Sequence, residues 1–165
     1  MPTLEQKNRH AANLYWLAFL LTGARDESAD MAVEAIESPE DTFFSAWMLA
    51  WSRKVVISKA LAAIRQELAE SARRIALARS PRCGRSLPSD WSLSPGASKL
   101  ELERALLAID AFPRCVLLLM LFEGLSLDDA TVLLDVDREL VRKAQIFALE
   151  ELTRNLAATR EAARV

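Results

Sequence analysis

Histidine is nearly absent from this 165-residue chain, with His10 the sole example. That excludes a paired-imidazole acid–base site and a His-rich metal site. Cys83 and Cys115 are the only cysteines, and they show neither metal-ligand spacing nor a disulfide framework, so reduced thiols are expected. The four glycines form no phosphate-cradling loop and no nucleophile elbow. The longest apolar run, Cys115 to Phe122, is far too short to span a bilayer, so no membrane partner is expected. The opening MPTLEQKNRH lacks the apolar core of a signal peptide, and a cytoplasmic location is the expectation. An excess of positive charge is missing too: the net charge is −2, whereas general nucleic-acid binders are usually basic. These absences leave no catalytic constellation, so neither enzyme activity, nor a cofactor, nor a metal is expected.

What is present is helix-forming. Hydrophobic residues make up 52% of the chain, Ala and Leu dominate, and β-branched runs are short. The fold expected is all-α, in two small domains (1–79 and 99–165) joined by a linker at 80–98. Thr3 and Gln6 form a capping box, and the helix that follows carries an apolar stripe through Leu14, Ala18 and Leu21 before Gly23 stops it. A shorter helix is expected from about Glu27 to Ile36. Ser38-Pro39-Glu40-Asp41 is a start signal for a long helical pattern reaching about Ala78, either one helix or two with a bend near Ser52. Ser80 to Ser98, with three prolines, two glycines and many serines, is the linker. From Ser71 to Ser89 there are five arginines (Arg73, Arg74, Arg79, Arg82 and Arg85) and no acid.

After the linker, Ser98 and Glu101 predict a capped helix from Lys99 to about Ala111, broken by Phe112-Pro113. Arg114 to Glu123 is apolar nearly all round and should be central. Gly124 ends it. Ser126 caps a short helix from Leu127 to Leu134, Asp135-Val136-Asp137 forms the turn, and Asp137 caps a last helix from Arg138 to about Ala158. Leu127, Ala130, Leu133 and Leu134 should pack on Val136, Val141, Ala144 and Ala148. Asp135 should take the left-handed conformation where turns of this kind commonly use Gly.

Helix starts account for the acidic cluster Asp128, Asp129, Asp135 and Asp137, because an EF-hand loop would need a central Gly and a Glu at its twelfth position. His10 is expected to be solvated or to cap a helix. The helix–turn–helix pattern is the specific signal. Its second helix offers Arg138, Glu139, Arg142 and Lys143 in the half that would enter a major groove. An ordinary helical hairpin with solvated charges would show the same local pattern.

LYWLAFLLTGARDESADMAVEAI, FFSAWMLAWSRKVV and LLAIDAFPRCVLLLMLFEGLSLDDATVLLDVDRELVRKA together resemble regions 2 and 4 of the extracytoplasmic-function (ECF) sigma factors of bacterial RNA polymerase. The match covers most of the chain outside the linker and rests on the order and spacing of its motifs. The resemblance implies a subunit that binds core RNA polymerase and directs it to promoter DNA. Asp30, Met31 and Glu34 would dock on the polymerase. The face around Trp47, Trp51, Arg53 and Lys54 would melt the upstream element, since aromatics stack on unpaired bases. Arg138, Glu139, Arg142 and Lys143 would read the distal element.

The chain departs from the family pattern in three places. It is several residues shorter between Ile36 and Phe44. Lys54 replaces the Asn of an Ala-Arg-Asn stretch. Ala144 and Phe147 replace basic residues of the last helix, although Arg142 is kept. These departures motivate an alternative: a sigma-like interaction module that no longer reads promoters and binds polymerase, an anti-sigma factor or a second copy of itself through Ile146 and Phe147.

Overall fold

The computed structural model describes residues 4–36, 46–79 and 98–162. All regular structure among them is helical: α1 Leu4–Thr22, α2 Arg25–Ile36, α3 Ala46–Ala63, α4 Arg65–Leu77, α5 Lys99–Leu107, α6 Ala111–Leu117 with a π-helical turn Leu118–Phe122, α7 Leu127–Leu134 and α8 Arg138–Ala162. The fold is all-α. The chain divides into two compact units, Met1–Gln66 and Glu67–Val165. The sequence-expected boundary at 79 thus differs from the observed one, because nearly all of α4 belongs with the C-terminal unit. Ser38-Pro39, Trp91, Cys83 and most of the expected linker lie outside the described residues.

In the first unit α1 packs on α2 and α3, and α2 also packs on α3. The buried residues are those of the helical stripe, including Leu14, Leu17, Ala18 and Leu21 on α1, Ala32 and Ala35 on α2, and Val56, Ile57 and Ala60 on α3. Gly23 takes φ 76°, and its N–H reaches Phe19 O at 2.8 Å. This left-handed step closes α1 without the Cβ clash another residue would meet. α2 starts at Arg25, two residues before Glu27. Thr22 explains the earlier start: its Oγ1 accepts the Ala24 N–H at 3.2 Å and pairs with buried Ser28 Oγ at 3.1 Å, closing the turn tightly. The long pattern after Ser45 is two helices, and the break falls at Ile64. Near Ser52 the backbone stays helical, since Ser52 Oγ donates to Leu49 O at 3.0 Å within α3.

In the second unit α6 and α5 pack on α8, and α7 packs on α8. The Ser98–Glu101 capping box is formed on both sides, at 3.2 and 2.7 Å. α5 ends at Leu107, earlier than Ala111. Asp110 turns the chain and caps α6 by accepting the Ala111 N–H at 3.0 Å. Phe112-Pro113 therefore opens a helix where a break was expected. Pro113 sits in the first turn, where a backbone N–H has no intrahelical partner to lose.

α6 is buried throughout, and Phe112 is fully enclosed. Buried Arg114 sits within this apolar rod because its Nη1 donates to Ile109 O at 3.0 Å. Enclosure ends at Leu119, and Leu121 and Phe122 are exposed, so the expected central helix is central only in its first part. α8 reaches Ala162, beyond the expected end near Ala158.

Candidate nucleic-acid interface

α7, a three-residue turn and α8 form the candidate interface. Ser126 caps α7 by accepting the Asp129 N–H at 3.1 Å, while its hydroxyl donates to the Asp129 carboxylate at 2.6 Å. Asp135 ends α7 at φ 53° and ψ 49°, the expected left-handed step. Asp137 then accepts the Leu140 N–H at 2.8 Å and starts α8. Ala130 and Leu134 are buried, as are Val141, Ala144 and Ala148, and the small alanines allow close helix approach. Leu127 and Val136 are half-buried. Leu133 is exposed, contrary to expectation, because α7 turns only Ala130 and Leu134 fully inward.

The polar residues of α8 are held in defined places. Arg138 pairs with Asp128 of α7 at 3.3 Å. Arg142 pairs with Glu139, one turn back, at 3.0 Å. Arg138 and Arg142 lie four residues apart and share a helix face. Both pairs are solvent-exposed, so each contributes roughly 0–1 kcal/mol and is readily exchanged for another anion.

Lys143 is placed differently. Its ammonium donates to Ala76 O at 3.0 Å and also to Ala78 O, so it closes the C-terminal end of α4. A cation there satisfies orphan carbonyls and the negative end of the helix dipole. Nothing in the local sequence of α8 signals this, because the two partners are 65 and 67 residues apart. Ile146 is exposed and Phe147 half-buried, so only the former faces outward fully.

A second anchor fixes α4 nearby. Arg74 donates from Nε and Nη2 to the two Asp110 oxygens, at 2.9 and 2.8 Å. The Arg74 guanidinium is the main reason the Asp110 carboxyl is held below its ordinary range, against an opposing effect of burial. Fully buried Ser71 accepts the Phe112 N–H at 2.9 Å.

The upstream-element candidates belong to α3. Trp51 is 50% exposed and Lys54 is exposed one turn later on the same side. Arg53 is half-buried and points to another side of the helix. Between them, Ser52 is buried and bonds His10 Nε2 at 2.8 Å. His10 is therefore a half-buried link between α1 and α3, where a solvated or capping role was expected. Burial, then the charge of Arg53, lowers its pKa. The side chain of Trp47 lies outside the described residues. Of the polymerase candidates on α2, Asp30 is exposed, Met31 is half-buried, and Glu34 forms an ion pair with Lys59 of α3. Burial pushes the Cys115 thiol up to about 12, which makes it inert.

No protein-family model, no curated protein and no solved structure matches the chain. Among the described residues, no helix is long and apolar enough to cross a membrane.

Proposed function

We propose that this chain is a sigma-like transcription initiation factor, which binds core RNA polymerase and directs it to promoter DNA. The observation that carries the reading is the α7–turn–α8 unit. A left-handed turn precedes a helix whose first two turns expose Arg138 and Arg142 on one face, each paired with an exposed acid. Such pairs exchange carboxylate for phosphate or a guanine edge at little cost. The exposed Trp51–Lys54 edge of α3 adds a stacking surface beside a cation, the combination that suits unpaired strands. Asp30 and Glu34, four residues apart on α2, supply the acidic docking edge.

The alternative is an interaction module without promoter recognition, with an anti-sigma factor or a second copy as partner. Two observations favour it. Lys143 is engaged by α4 carbonyls, and α7 leaves Val132 and Leu133 exposed on the same element as the interface. The test is retention of core RNA polymerase subunits by the tagged protein at moderate salt. The sigma-like reading expects retention, lost in Asp30→Arg with Glu34→Arg. No retention by protein whose circular dichroism is helical would remove it. Dimerisation that Phe147→Asp abolishes, without DNA binding, would establish the alternative.

A further inference from the structure

Lys143 lies in the half of α8 that carries Arg138 and Arg142, yet it differs from both. The two arginines are exposed, whereas Lys143 is half-buried and donates to the Ala76 and Ala78 carbonyls of α4. It follows Arg142 directly and so points about 100° around the helix from it. Cations flanking a reading face commonly hold the DNA backbone. Here two carbonyl oxygens, at the negative end of the α4 dipole, sit beside the ammonium and repel an approaching phosphate. The end of α4 that covers Lys143 is itself shallowly seated. Leu68, Ser71, Ala72 and Ile75 are buried, but beyond Ile75 the helix turns outward: Ala76 is exposed and Leu77 is 88% exposed. Lys143 ties this outlying turn to α8, while Ser71 and Arg74 fasten the earlier turns to the start of α6.

We propose that the last turn of α4 is an autoinhibitory latch on the DNA-reading helix: it withholds Lys143 from the phosphate backbone, and fraying of that one turn delivers it. This rests on the DNA-reading function proposed above and adds a control to it. The latch opens without unfolding elsewhere, since Ser71, Arg74 and Ile75 keep the rest of α4 in place. Opened, it presents a third cation beside Arg138 and Arg142 on a chain whose net charge of −2 gives little general attraction for DNA.

Ala76→Pro opens the latch without changing charge, because proline at this exposed position removes a helical N–H and disrupts the last turn. Ala76→Gly weakens the same turn more gently. The probe is a short labelled duplex of mixed sequence, titrated with full-length protein over a range of salt concentrations. With the latch closed, Lys143→Ala leaves the slope of log K against log salt nearly unchanged. Ala76→Pro steepens it by about 0.9, the signature of one added phosphate contact, and tightens binding severalfold. Ala76→Gly moves both in the same direction by less. In the Lys143→Ala background Ala76→Pro adds nothing, a coupling that a mutant cycle reads directly.

Hydrogen exchange on the free protein gives an independent check. The Ala78 N–H donates to Arg74 O at 2.9 Å, and Lys143→Ala should speed its exchange along with Ala76→Gly. Exchange at Ala78 untouched by Lys143→Ala overturns the latch. So does a wild-type slope that Lys143→Ala flattens by about 0.9, since Lys143 would then already touch DNA. So does a slope that ignores both Ala76 variants, or a steepening that survives in the Lys143→Ala background. In each of these cases Arg138→Ala and Arg142→Ala still weaken binding, and DNA reading stands. No binding at low salt by wild type or either Ala76 variant, each helical by circular dichroism, overturns the DNA reading itself and the latch with it.

Discussion

Between α1 and α3 the hydrogen-bonded pair His10–Ser52 accompanies an interior of leucine, alanine and valine. The C-terminal unit also has an apolar centre, but its helices are started and fastened by polar groups at almost every junction: Ser98 with Glu101, Asp110 with Arg74, Ser126 with Asp129, Asp137, and Lys143 on the end of α4. Apolar packing is tolerant of small shifts, whereas caps and bidentate pairs fix angles. In the unit that carries the candidate DNA-reading helix, such directional bonds start α5, α6, α7 and α8 in turn.

That contrast can be broken most forcefully in the cores. Phe112→Ala empties a fully enclosed site and should cost about 3–5 kcal/mol, while Leu14→Ala should cost about 2–5 kcal/mol. Hydrogen exchange should show the first change weakening protection in α6 and α8, and the second in α1 and α3. Loss of protection spread equally over both units by either change would erase the distinction.

The turn gives the next largest effect. Asp135 sits at φ 53°, so Asp135→Val should destabilise the α7–α8 hairpin by about 1–2 kcal/mol, and Asp135→Gly should stabilise it slightly. Thermal unfolding followed by circular dichroism orders the three proteins.

The two polar junctions predict separate steps on the acid side of the pH scale. The Asp110 carboxyl is lowered from 3.8, chiefly by Arg74. Its contribution is complete above that value and is lost as pH falls through the lower folded pKa. Asp110→Asn should flatten this acid limb. His10 is lowered from 6.5 by burial and Arg53. Neutral His10 therefore favours the folded state above about 6.5, and stability declines as pH falls towards its lowered folded pKa. His10→Gln should reduce that slope in the first unit. Urea midpoints measured from neutral to acid pH separate the two, and a decline unchanged in both variants would refute these assignments. The smallest effect is chemical: in Cys83→Ser, the remaining Cys115 thiol should resist alkylation until the protein is unfolded.

Much of this was legible in the residues. Apolar periodicity marks α1, α3 and α6, and cap residues mark the starts of α5, α7 and α8, because both signals are local. Three features were not legible, each for a physical reason. Pro113 reads as a breaker unless Asp110 is known to start the helix three residues earlier. α4 continues the pattern of α3, and only the distant partners Asp110, Phe112 and Lys143 show that it belongs with the second unit. Lys143 looks like another candidate DNA contact until the carbonyls of Ala76 and Ala78 are found beside it. Local sequence carries no record of a partner so far along the chain.

Transcription reconstituted from bacterial core RNA polymerase, genomic DNA and this protein tests the central claim most directly. The account predicts discrete new transcript starts that share an upstream element and disappear with Arg138→Ala and Arg142→Ala. Absence of any new start, with the same core active alongside its housekeeping sigma factor, would contradict it.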